Sequence, residues 1–194
     1  MELYPDWLSA TLASDGSEGR GVLPPWIRVL WPDRRVVGPA FVVQASQDDN
    51  AAVVQAVATP PPPDSVLVVG GQSTSRTATI GGLMALEIRN LRVAGLVTDG
   101  LVRDAQEIRE LGLPVWCRGV TPTASNKRGP GAVGGAVLIG GALVHDGDLV
   151  IADDDGVVIW PATDCQQLLV RAREKLDSDN IRLARLRAAR PGPG

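Results

Sequence analysis

Between Ile80 and Asp104 the chain reads IGGLMALEIRNLRVAGLVTDGLVRD, and this stretch narrows the architectures open to the whole molecule. Met84, Ile88 and Leu91 recur at i, i+4 and i+7, which predicts a helix with one apolar face. Ala94 to Val97 is a short apolar run closed by Asp99-Gly100, which predicts a buried strand followed by a turn. A tight turn would then end in Arg103-Asp104. The pair Gly81-Gly82 leaves backbone amides open at the helix start, where N–H groups and the helix dipole favour an anion. Arg103 offers a planar fork suited to a carboxylate, and Asp104 offers oxygens suited to a hard metal ion. If strand and helix pack side by side, all three features converge.

The rest of the composition limits what such a site can do. At 194 residues the chain suffices for one domain with a sizeable core. A net charge of −3 and 4% aromatic residues give no signature of direct nucleic-acid binding. Arg182, Arg185, Arg187 and Arg190 cluster near the end and read as a solvated helix face. Two cysteines, Cys117 and Cys165, are too few for a disulfide framework, which points to a reducing, cytoplasmic setting. No stretch approaches the roughly 20 apolar residues of a membrane span, and the N-terminal MELYPDWLSA has no basic segment followed by an apolar run.

His145 is the single histidine, so a His-rich zinc site cannot be built within one chain. Its setting, HDGD, reads as a turn. The two lysines sit in polar surroundings, Lys127 in SNKRGPG and Lys175 in a charged helical turn, and neither suits a desolvated Schiff-base role. Arg, Asp, Glu and backbone amides remain, a set matched to Mg²⁺ or Mn²⁺.

Along the chain, a short helix is expected over Trp7 to Asp15 and an irregular segment over Gly16 to Pro32. Arg35 to Ala45 reads as a strand bent or bulged at Gly38-Pro39. Asp48 to Ala58 reads as a helix capped by Asp48 or Asp49 and stopped by Pro60 to Pro63. Ser65 to Gly70 reads as a buried strand, and Ser73 to Thr79 as a loop. A short helix over Ala105 to Leu111 carries Glu107, which reads as a solvated residue within reach of the turn holding Asp104. Leu113 to Cys117 reads as a strand with a core cysteine, and Arg118 to Gly135 as a long loop. Ala136 to Ile139, Leu149 to Ile151 and Val157 to Ile159 read as strands, with Asp153-Asp154-Asp155-Gly156 as a hairpin turn. An amphipathic helix spans about 162–188, with a frayed tail behind it. Helices alternate with strands early and strands cluster late, which predicts an α/β core with a β-rich layer.

The segments GGLMALEIRNLRVAGLVTDGLVRD, LPVWCRGVTP and GDLVIADDDGVVIWP, with LSATLASD and VVGPAFVV before them, resemble the RraA-like family. That family includes 4-hydroxy-4-methyl-2-oxoglutarate aldolases and the regulator of ribonuclease activity A. The resemblance implies a swivelling β/β/α fold and a homotrimer or trimer-based hexamer with sites between subunits. It implies that Arg103 binds the pyruvyl part of a 2-oxo acid and Asp104 ligates Mg²⁺ or Mn²⁺. It also implies that the backbone of Gly81, Gly82, Leu83 and Met84 contacts the substrate. The aldolases carry an aspartate at the helix start, implied to order metal-bound water, where this chain has Gly82. They also draw an acidic group from a neighbouring subunit's C-terminal helix, for which Glu174, Asp177 and Asp179 are candidates here.

The expected activity is a metal-dependent, class II type retro-aldol cleavage of a 4-hydroxy-2-oxo acid to pyruvate. Metal-bound water is the expected base for the 4-hydroxyl, since no histidine is at hand. Decarboxylation of oxaloacetate yields the same enolate and is the expected second activity. A non-catalytic regulator that binds a ribonuclease or another enzyme is the alternative.

Overall fold

The computed structural model describes residues 4–189. Helix α1 (Ala10–Gly16) is opened by Ser9, whose hydroxyl accepts the Leu12 amide at 3.2 Å. After β1 (Arg28–Val29), the long strand β2 (Val36–Gln44) leads to α2 (Ala51–Ala58). Asn50 is the residue before α2, but the capping carboxylate is that of Asp49, which accepts the Ala51 amide at 2.8 Å. The prolines after Ala58 end the helix, since proline lacks the N–H that would continue it. The chain then runs through β3 (Val66–Gly70), β4 (Ala78–Ile80), α3 (Gly82–Asn90), β5 (Gly95–Thr98), β6 (Leu101–Val102), α4 (Ala105–Leu111), β7 (Val115–Cys117) and β8 (Gly119–Val120). The last part contains β9 (Ala132–Val133), β10 (Ala136–Ile139), β11 (Ala142–His145), β12 (Leu149–Asp153), β13 (Gly156–Trp160) and α5 (Cys165–Ala188).

Three successive units share one pattern. Each of β3, β5 and β7 lies in the main sheet and is followed, with no helix between, by a short strand, β4, β6 or β8, in a second, all-parallel sheet ordered β4-β6-β8. Helices α3 and α4 then return the chain to the main sheet. This is the swivelling β/β/α fold. The main sheet runs β1-β7-β5-β3-β2-β12-β13, with β9 also on β2. Strands β7, β5, β3 and β2 are parallel to one another, and β12 and β13 are antiparallel.

Alternation along the strands builds the layers. Leu67 and Val69 face α2, α3 and α4, where they join Val53, Ile88 and Ile108. Val66 and Val68 face the β10–β11 hairpin, where they meet Val137, Ile139 and Val144. On β12, Leu149 and Ile151 instead pack against α1 and α5 with Leu8, Ala13, Leu168 and Ala172. β3 and β5 are buried throughout, as strands covered on both faces must be.

Several local expectations change. β2 is one unbroken strand; its Gly38-Pro39 pair is where pairing passes from β12 to β3, with Pro39 opposite Leu149 and Ala40 opposite Val66. A Cβ at Gly38 would stand 2.6 Å from the Asp64 carbonyl, so glycine is needed for that close approach. The supposed loop before α3 contains β4, the tight turn before Arg103 contains β6, and His145 ends a strand. The three aspartates do form a hairpin turn, with Asp153 opposite Gly156. Each carboxylate takes a protein donor: Asp153 the Ala10 amide, Asp154 the Asp33 amide, and Asp155 the Thr11 hydroxyl.

Candidate active site

The short parallel sheet ends at Ile80, Val102 and Val120, and its ladder continues one step further. The Arg103 amide donates to the Ile80 carbonyl at 3.0 Å and the Thr121 amide to the Val102 carbonyl at 2.9 Å. Gly81, Arg103 and Thr121 therefore lie at the carboxyl ends of neighbouring strands, the usual place for a ligand in open α/β sheets. Behind them the Asp99-Gly100 turn is fixed by the Asp99 carboxylate accepting the Gln72 amide at 2.8 Å and by the Thr98 hydroxyl accepting the Gly100 amide at 3.0 Å. Burial pushes the Asp99 carboxyl above the ordinary aspartate range, against the opposing pull of the Gln72 and Gly71 amides and of Arg118.

Gly81 and Gly82 form the floor of the site. Gly81 is extended (φ −129°, ψ −173°) and Gly82 is the first residue of α3. A Cβ on Gly81 would stand 2.6 Å from Asp104 Oδ2 and 2.8 Å from Arg103 Nε. A Cβ on Gly82 would collide with Glu107 Oε2 and lie 3.1 Å from Glu107 Cδ. Three side chains thus rest on the glycine pair, and two of them, Asp104 and Glu107, are carboxylates from the start of α4.

Asp104 adopts the left-handed conformation (φ 57°, ψ 42°) and makes no cap for its own helix. Its Oδ2 instead accepts the Gly82 amide at 3.0 Å, capping α3 across the site. The anion that the helix start attracts is thus the protein's own carboxylate, and the amides of Leu83 and Met84 are the ones left for a ligand. The Leu83 side chain is 83% exposed, whereas that of Met84 is in the core, so Met84 can contribute its backbone alone. Arg103 Nε lies 3.6 Å from Asp104 Oδ2, and its two terminal nitrogens have no partner among the described residues. That leaves the guanidinium fork for a carboxylate.

The remaining candidates separate from this cluster. His145 faces Asp148 at 3.6 Å, Nδ1 to Oδ2, on the β11–β12 connection. Cys117 is buried, and its thiol is pushed up to about 11, chiefly by desolvation. Lys175 is held by Asp179 and Asp15, which raise its pKa rather than lower it, and Lys127 is exposed. Asp177 pairs with Arg173 and Asp179 with Lys175 along α5.

Among the described residues no group of three His, Cys, Asp or Glu side chains is arranged to hold a metal ion. Mg²⁺ is commonly held by one or two carboxylates with waters and substrate oxygens completing its shell. The oxygens of Asp104, fixed by the Gly82 amide, fit such an ion in kind. They do not suit a metal that prefers imidazole or thiolate. Glu107, expected as a solvated residue within reach of the turn holding Asp104, lies instead over Gly82; the collision with a side chain at 82 is a tertiary fact without a local signal.

Fold and site define an α/β protein of the swivelling β/β/α type with an arginine and two carboxylates gathered at a helix start. The family model described as Aldolase/RraA, RraA-like, matches residues 11–159, and the chain belongs to that family. A relative from Halalkalibacterium halodurans, which carries a provisional 4-hydroxy-4-methyl-2-oxoglutarate aldolase name, is 34% identical over 176 residues, 90% of this chain and 83% of its own. The 4-hydroxy-4-methyl-2-oxoglutarate aldolase of Thermus thermophilus is 36% identical over 93 residues, covering 48% of this chain and 57% of its own. Among solved structures, Streptomyces coelicolor RraAS2, described as an unusual member of the RNase ES inhibitor RraA protein family, superimposes with a TM-score of 0.81. It is 30% identical, covering 92% of this chain and 93% of that one.

Proposed function

We propose that this chain is a divalent-metal-dependent aldolase that cleaves 4-hydroxy-2-oxo acids of the 4-hydroxy-4-methyl-2-oxoglutarate type to pyruvate, with oxaloacetate decarboxylation as a second activity. The observation that carries this reading is the placing of Arg103 and Asp104 over the glycine-opened start of α3. Arg103 presents its fork to the substrate carboxylate and neutralises the pyruvyl unit as charge develops on it. The amides of Leu83 and Met84 hold a second oxygen of the same unit, aided by the positive end of α3. Asp104, already fixed by the Gly82 amide, is the ligand for Mg²⁺ or Mn²⁺. Such an ion, when bound, supplies Lewis-acid stabilisation of the enolate charge. The site is completed in a homotrimer or hexamer, with Glu174 on the exposed face of α5 as the candidate acid from a neighbouring copy.

The similarity to RraAS2, and the lack of an acid at Gly82, favour a second reading: a regulator that binds a ribonuclease or another enzyme through a pocket without turnover. One assay separates the two. Pyruvate release is measured from 4-hydroxy-4-methyl-2-oxoglutarate and from oxaloacetate, with Mg²⁺ and with EDTA. Release that Mg²⁺ supports and EDTA abolishes is expected. No release from either substrate leaves the regulator reading.

A further inference from the structure

The three side chains over Gly81 and Gly82 are not equally engaged. Arg103 holds Asp104 through Nε, and its two terminal nitrogens have no partner among the described residues. Asp104 is fixed by the Gly82 amide and by Arg103. Glu107 has no hydrogen-bond or ion-pair partner among the described residues, yet its carboxylate lies where a side chain on Gly82 would have to go. Glycine at 82 is what allows an acid from α4 to reach over the first turn of α3. The backbone there is not left-handed, so φ does not call for glycine; the space does.

Retro-aldol cleavage needs a base for the 4-hydroxyl, and the histidine, Lys175 and the buried Asp99 of this chain are engaged elsewhere. His145 is paired with Asp148 on the β11–β12 connection, Lys175 is tied to two aspartates, and Asp99 is buried with its carboxylate on backbone amides. We propose that Glu107 is a catalytic residue of the reaction proposed above, the proton acceptor for the 4-hydroxyl, in place of a water. The step balances within the site. Glu107 Oε takes the hydroxyl proton, the O–H pair becomes the new C4=O bond, and the C3–C4 bond breaks. Its electrons pass to C3 as the enolate of pyruvate. The protonated Glu107 then returns the proton to C3, which gives pyruvate and restores the carboxylate. With 4-hydroxy-4-methyl-2-oxoglutarate both products are pyruvate.

This role rests on the aldolase reading, and oxaloacetate separates the two. Loss of CO₂ gives the same enolate with no hydroxyl proton to remove, so a base is needed for one substrate and not for the other. The experiment compares Glu107→Gln with wild type for kcat and KM on both substrates, and for binding of oxalate, an enolpyruvate mimic, in the presence of Mg²⁺. The ratio of aldol kcat to decarboxylation kcat is expected to fall at least about 100-fold, in the range general bases contribute. Oxalate affinity should stay within about threefold, since the amide keeps the shape of the carboxylate. Glu107→Ala combined with Gly82→Asp empties that space and refills it with a carboxylate from the other helix, and is expected to recover part of that ratio relative to Glu107→Ala alone.

An unchanged ratio in Glu107→Gln overturns the role for Glu107 while the aldolase reading stands. Equal loss of both activities, with weakened oxalate binding, also overturns it by making Glu107 a structural prop. A wild type that releases no pyruvate from either substrate defeats the aldolase reading itself, and this role falls with it.

Discussion

Asp104 shows how a single residue serves structure and chemistry together. Its left-handed backbone costs about 1–2 kcal/mol in a residue with a Cβ. The ion pair with Arg103 is roughly 40% exposed on each side and returns only about 0–1 kcal/mol. Capping of α3 through the Gly82 amide supplies the rest, at about 0.5–2 kcal/mol. The carboxylate is thus held in place by a helix to which it does not belong. Asp104→Asn tests this division. Asparagine tolerates the left-handed region and keeps an oxygen to accept the Gly82 amide, but a neutral amide is a poorer ligand for a hard dication. The melting temperature should move by no more than a few degrees, while Mg²⁺-dependent pyruvate release should fall at least about 100-fold. A variant with wild-type turnover would remove Asp104 from the metal site. The sequence made Arg103, Asp104 and the two glycines conspicuous because together they offer a guanidinium fork, a hard carboxylate and open amides around one helix start. The cross-helix cap was not legible, because it joins residues 22 positions apart through a fold that no local pattern specifies.

At the scale of elements, long and buried segments were legible and very short ones were not. β3 and β5 stand out as continuous apolar runs, and α3 and α5 as apolar stripes. β4, β6 and β8 have two or three residues each, too few for alternation to show, although the site hangs from their ends. A second set of connections holds the loops beside this small sheet. Asp48 Oδ1 accepts the Arg76 and Thr77 amides, at 2.6 and 3.2 Å. Asp49, almost fully buried, accepts the Ala51, Arg128 and Gly129 amides. The Arg76 amide, aided by Thr77 and the Arg76 charge, holds the Asp48 carboxyl below its ordinary range against desolvation. Asp49 is lowered as well: desolvation pushes it up, and its three amides outweigh that push. Groups whose folded pKa is lowered contribute stability above the unfolded pKa and lose it as pH falls through the folded value. The melting temperature is therefore expected to drop on acidification below about pH 4, and Asp49→Asn should flatten that drop. An equally steep acid limb in the variant would place the loss elsewhere.

The molecule as a whole is two differently wound parts sharing β2. From Ala40 to Gln44 this strand is parallel to β3, and from Val36 to Pro39 it is antiparallel to β12. Its partners are very unequally distant in sequence. β3 lies about a helix and a loop away, whereas β12 begins at Leu149, opposite Pro39. Closing the larger loop carries the greater entropic cost, and long-range pairing slows folding. The consequence is an order of assembly. The parallel part around β3, β5 and α3 forms first, and β12, β13 and α5 then dock onto a half-strand that has waited for them. Leu96 and Ile151, both fully buried, report on the two parts, and truncation of either to alanine should cost about 2–5 kcal/mol. Leu96→Ala should slow refolding, whereas Ile151→Ala should mainly accelerate unfolding, as read from the two limbs of a denaturant chevron. The reverse pattern would mean that the antiparallel edge nucleates the fold. If the expected order holds, a nascent chain can complete the Gly81–Asp104 floor while its last two strands and long helix are still emerging from the ribosome.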